Sequence, residues 1–124
     1  MTDVAIALNS FFNSFGIPAY VEENIPDDAT LPYITYTLAM PSWGEQASIQ
    51  SRIWYKDAKL TAINAKCAEI KQSVGEGKSI RTDTGYVVLH QDVNFAQYQP
   101  YDDQGQSNVK VIYLNFILHA FTRR

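Results

Sequence analysis

The segment NVKVIYLNFILHAF, Asn108 to Phe121, constrains the fold of this chain more than any other stretch. Its β-branched and aromatic residues fit a long strand, and alternation divides them into two rows. Ile112, Leu114, Phe116 and Leu118 lie on one face; Val109, Val111, Tyr113, Ile117 and Phe121 lie on the other. Both rows are apolar, so both faces of the surrounding sheet need cover. A chain of 124 residues reads as one domain, 1–124, with helices enough to cover one face and little left for the other. A neighbouring subunit is the economical cover, because extensive exposed apolar surface usually marks an interface. A sandwich whose strands cover one another is the alternative.

Two helices are predicted. In Thr2 to Phe15 the residues Val4, Leu8, Phe11, Phe12 and Phe15 recur at helical spacing, Asp3 favours the positive end of the dipole, and Gly16 and Pro18 supply a stop. In the second, Leu60, Ile63, Cys67, Ile70 and Val74 are spaced three, four, three, four, with Asp57 as its expected cap and Gly75 as the left-handed residue after it.

Extended segments fill the remainder. Ile17 to Glu23 is a short one, and Asn24 to Thr30 is a turn. Leu31 to Ala39 alternates, with Leu31, Tyr33, Thr35, Thr37 and Ala39 in one row and Pro32, Ile34, Tyr36 and Leu38 in the other; either row suits the core. Ala47 to Lys56 places Ile49, Ile53 and Tyr55 opposite Gln50, Arg52, Trp54 and Lys56, and the two runs should form an antiparallel hairpin with a long tip carrying Trp43. Thr84 to Asp92 and Phe95 to Tyr101 read as further strands, with DDQGQSN as the turn before the last one. The order is α+β, with a mainly antiparallel sheet and two α-helices packed on it.

Hydrophobic residues make up 46% of the chain and charged ones 19%, a balance suited to a soluble globular protein. No signal peptide, bilayer-spanning run or glycosylation sequon is read, and Cys67 is the only cysteine, which fits a reducing compartment. The net charge of −3 is unevenly spread. Residues 1–51 hold Asp3, Glu22, Glu23, Asp27, Asp28 and Glu45 and no base; residues 52–81 hold Arg52, Lys56, Lys59, Lys66, Lys71, Lys78 and Arg81 against three acids. Such polarity orients one copy against the next, or it is a solvated lysine face on one helix.

Catalytic chemistry finds little footing. His90 and His119 sit in strands without metal-ligand spacing, Cys67 lies on the apolar stripe of a helix, and no G-x-S-x-G context marks a nucleophile. Asp102 and Asp103 read as turn residues. VGEGKS follows a helix and lacks phosphate-loop spacing, and the acidic chain has no basic footprint for nucleic acid.

Together, the first helix ending in FGIPAYVEENIP, the hairpin LPYITYTL…ASIQSRIWYKD, the helix DAKLTAINAKCAEIKQSVG and the closing GYVVLHQD…NVKVIYLNFILHAF resemble the tail terminator, or tail completion and head-tail joining, proteins of long-tailed bacteriophages (siphoviruses and related prophages). The resemblance runs from about residue 5 to 121 and rests on element order and on the P-Y-x-x-Y strand. It implies a structural virion protein, not an enzyme, made in the host cytoplasm and built into the tail neck without cofactor, metal or membrane. Its members form a ring, commonly a hexamer, that ends tail-tube polymerisation between the major tail tube protein and the head connector or stopper. DNA passes through the lumen without specific binding. The candidate contact residues are Trp43, Arg52, Trp54 and Tyr113, and the candidate lumen residues are Glu45, Asp102 and Asp103. Another neck protein, a head completion, stopper or tube subunit, remains an alternative. So does a small ligand-binding domain with an aromatic pocket of Tyr33, Tyr36, Trp54 and Tyr86.

Overall fold

The computed structural model of the chain describes residues 3–39, 44–83, 85–99 and 108–122. In chain order its regular elements are α1 (Asp3–Phe12), β1 (Ala19–Val21), β2 (Tyr33–Tyr36), β3 (Gln46–Lys56), α2 (Thr61–Val74), β4 (Lys78–Arg81), β5 (Gly85–Gln99) and β6 (Val109–Thr122). The strands form one sheet in the order β1-β2-β3-β6-β5-β4, antiparallel throughout except for the parallel pair β1 and β2. The fold is therefore α+β with a single sheet, and the sandwich alternative falls.

The doubly apolar β6 lies inside the sheet, between β3 and β5. Its even-numbered row, Ile112 to Ala120, is buried together with Ile34 and Tyr36 of β2, Ile49 and Ile53 of β3, and Val87 and Leu89 of β5. Both helices pack on this same side. Leu8, Phe11 and Phe12 of α1 and Ile63, Ile70 and Val74 of α2 share one core cluster with these strand residues. At its centre the Phe116 ring meets Phe95, Phe12 and Phe11 edge-on, with centroids 5.1, 5.6 and 6.3 Å away, while Phe12 stacks on Tyr36 at 4.5 Å. Edge-to-face and offset stacks of this kind add about 1 kcal/mol each beyond burial.

The first helix ends in a 3-10 turn, Asn13–Phe15, closed by Gly16 at φ +84°, where a side chain would be strained. The start of α2 differs from expectation. Asp57 Oδ1 accepts from Lys59 N–H at 3.0 Å and closes a bend; the helix begins later, at Thr61, with Leu60 in the capping position and no side-chain cap. Gly75 has a positive φ of 52°, but with ψ −129° it turns the chain outward into β4 and is not left-handed helical. The strand β4 was not anticipated, and β5 is one element where two were expected. Its register shifts between Gln91 and Ala96, and Asn94 at φ +54° absorbs the irregularity without breaking the strand. The expected DDQGQSN turn lies at 102–108, of which only Asn108 is described.

Among the described residues, no helix is long and apolar enough to cross a membrane.

Candidate interaction surface

Both helices pack on the core side of the sheet, so neither covers its other face. Trp54, Val111, Tyr113 and Ile117 lie here, and none of them belongs to the core cluster. The even row of β3 and the odd row of β6 thus form an outer face whose side chains must shelter one another.

Cross-strand register builds the first part of that face. Thr35 stands opposite Arg52, Arg52 opposite Tyr113, Tyr33 opposite Trp54, and Trp54 opposite Val111. The Trp54 indole Nε1–H donates to Thr35 Oγ1 at 3.0 Å, and the Thr35 hydroxyl reaches Glu22 Oε1 at 3.5 Å. Glu22 binds Arg52 Nη1 at 2.7 Å, and the Arg52 guanidinium sits 4.6 Å from the Tyr113 ring centroid. Thr35 and Val111 are almost sealed, at 0% and 2% exposure, although they lie on the side away from both helices. The rings continue outward, Trp54 to Tyr33 at 6.3 Å and Tyr33 to Tyr20 at 5.7 Å. Arg52 Nε is buried without an acceptor. An unmet donor of this kind costs on the order of 1 kcal/mol, so the cluster fixes the guanidinium at some expense to stability.

A second aromatic group occupies the far end of the same face. Tyr86 stacks on Phe121 with centroids 5.0 Å apart, and Phe121 lies 4.0 Å from the His119 ring. His119 Nε2 is 3.2 Å from the carbonyl of Gly44, whose N–H donates to Ala120 O; the far side of the hairpin tip is thereby fastened to β6.

Of the residues expected at contacts, Arg52, Trp54 and Tyr113 come together in one network. Trp43, Asp102 and Asp103 lie outside the described residues. Glu45 is exposed, and its carbonyl accepts from Ala120 N–H at 3.2 Å. The four-residue aromatic pocket does not form. Tyr36, one residue on from Thr35, points to the opposite side and is buried under Phe12, while Tyr86 stands with Phe121 across β6 from Trp54, at the other end of the strands. Glu22 and Thr35 escaped the sequence reading. Thr35 was visible as Trp54's neighbour only once the hairpin register was known, and Glu22 depends on the parallel pairing of β1.

The described histidines and the cysteine lie apart from one another. Among the described residues, no cluster of three or more His, Cys, Asp or Glu side chains is placed to hold a metal ion. His90 approaches the Glu76 carbonyl at 3.3 Å from its Nδ1, on a different strand from His119. Burial pushes the Cys67 thiol above its usual pKa, with nearby Lys71 partly opposing, so Cys67 is a poor nucleophile. What this face can do is bind: Arg, Trp and Tyr, already ordered by one another, are the residue types that dominate protein interfaces.

No model of a known protein family matches the chain, and no curated protein matches it either.

Proposed function

We propose that this protein is a structural subunit of a phage tail neck, a tail terminator that assembles as a ring on the head-proximal end of the tail tube, halts its growth and receives the head connector. The observation that carries the reading is the outer sheet face, where Arg52, Trp54 and Tyr113 are held in place by Glu22 and Thr35 on the side of the sheet away from both helices. Pre-ordering lowers the entropy lost on association, which suits a surface that must dock a partner and stay docked. The order of elements, with its resemblance to terminator proteins, supports the same reading. So does the separation of acidic residues 1–51 from basic residues 52–81, since a head-to-tail ring buries two different patches of each subunit.

The test is microscopy of tails assembled in cells that lack this protein. Overlong tubes are expected, and tubes of normal length would sink the terminator reading.

A further inference from the structure

The sheet has two edges, and the chain treats them differently. At β1 the Pro18 carbonyl accepts from Ile34 N–H and so faces β2, leaving the N–H and C=O of Ala19 pointing away from the sheet. Both are taken by one side chain: Ala19 N–H donates to Asn13 Oδ1 at 3.0 Å, and Asn13 Nδ2 donates to Ala19 O at 3.4 Å. The Asn13 amide thus stands in for the next strand and closes that edge.

The β4 edge has no such stand-in among the described residues. Thr82 N–H donates to Gly85 O at 2.8 Å, in register with the pairs Ile80 with Val87 and Lys78 with Leu89. Alternation along an antiparallel ladder then turns the N–H and C=O of Ser79 and Arg81 away from β5. Among the described residues, no strand pairs with that side. Beside it runs a groove between α1 and β4, two hollows of about 370 and 340 Å³ that share Ser10, Ile80 and Arg81. Ile6, 57% exposed, and Ala7 give it an apolar wall near Ile80; Lys78 stands at the other end.

Charge decides what fits. A second copy's β4, paired antiparallel with Ser79 opposite Arg81, would bring the Lys78 and Arg81 of both strands to one seam with no acid of either β4 between them, and like charges repel. A second copy's β1 edge is occupied by Asn13 at Ala19. We propose that β4 is a strand-addition site for an extended, acidic segment of a partner protein. Its backbone pairs with Ser79 and Arg81; the residue opposite Ile80 is apolar and enters the groove against Ile6; and acidic residues stand opposite Arg81 and Lys78. Main-chain bonds give such sites their affinity, and alternate side chains give the specificity. This site is separate from the outer face and does not depend on ring formation.

The probe is a terminally blocked octapeptide with Glu-Val-Thr-Glu at its centre, which antiparallel pairing sets opposite Arg81, Ile80, Ser79 and Lys78, titrated into the full-length protein with amide exchange read by NMR. The expected result is saturable binding that slows exchange at Ser79 and Arg81. Ser79→Pro removes an outward donor without touching the β4–β5 ladder, and it should abolish binding while the near-ultraviolet circular dichroism stays native. Arg81→Glu should weaken binding roughly threefold, as for a solvent-exposed ion pair, and a lysine-for-glutamate peptide should recover it. No protection at Ser79 and Arg81 at millimolar peptide would overturn the proposal. So would affinity indifferent to both variants, protection confined to the outer face, or dimerisation through β4 without peptide.

Discussion

Asn13→Ala tests whether a side-chain amide closes the β1 edge. The substitution removes the acceptor of Ala19 N–H at 3.0 Å, the longer bond to Ala19 O at 3.4 Å, and the bond from Asn13 Nδ2 to Asn9 O at 2.9 Å. The last is solvent-exposed and contributes little. The first two are sheltered, and Ala19 itself is only 5% exposed. One good hydrogen bond and one marginal one are together worth about 1–2 kcal/mol. With a urea m-value of about 1.5 kcal/mol/M for a domain this size, the midpoint should fall by about 1 M. Asn13→Asp keeps an acceptor for Ala19 N–H but no donor for its carbonyl, and it should fall between the two. Amide exchange at Ala19 should accelerate in Asn13→Ala, and the variant should self-associate more readily through its bared edge. An unchanged midpoint with unchanged Ala19 exchange would refute the idea that Asn13 replaces a strand.

Three further outcomes follow from the packing. Phe116→Ala empties the centre of the ring cluster and should cost about 3–5 kcal/mol in urea unfolding. Arg52→Ala leaves Glu22 unpaired and bares Tyr113, but the pair is partly solvent-exposed at 28% and 23%. Its effect on stability should stay near 1 kcal/mol and shrink in high salt. Because burial raises the Cys67 pKa, the thiolate fraction at pH 8 is below that of a free thiol. Iodoacetamide should therefore react slowly with the native protein, faster as pH rises, and at the full free-thiol rate in denaturant.

Much of this architecture could be read from residue order. The apolar row Ile112, Leu114, Phe116 and Leu118 of β6 lies in the core under both helices, and the alternation of Ile49, Ile53 and Tyr55 against Arg52 and Trp54 oriented β3 correctly. Of the stripe Leu60, Ile63, Cys67, Ile70 and Val74, the last four put α2 on the core, Cys67 half-buried, while Leu60 precedes the helix and is exposed. What escaped was governed by tertiary pairing. The β4 segment, KSIR, has one apolar residue in four and no periodicity to announce it; it is a strand because β5 offers it a ladder. The break at Asp92, Val93 and Asn94 imitates the end of a strand, yet β6 continues beside it and holds both halves in line. For the candidate site, Arg52, Trp54 and Tyr113 were recognisable as interface residue types. Their assembly into one network depends on Glu22, which no local pattern links to Arg52. The grouping of Tyr36 with Tyr33 failed for the reason strands alternate: an odd separation puts two side chains on opposite faces.

On the proposed reading, the outer face is where this protein meets the tail neck. It is tested most directly by the length of tails assembled when the only copy present carries Arg52→Ala and Trp54→Ala, the variant first shown by its unfolding transition to be folded. The account predicts overlong tubes, as in cells lacking the protein. Tails of normal length, terminated by a folded variant without its Arg and Trp anchors, would contradict it.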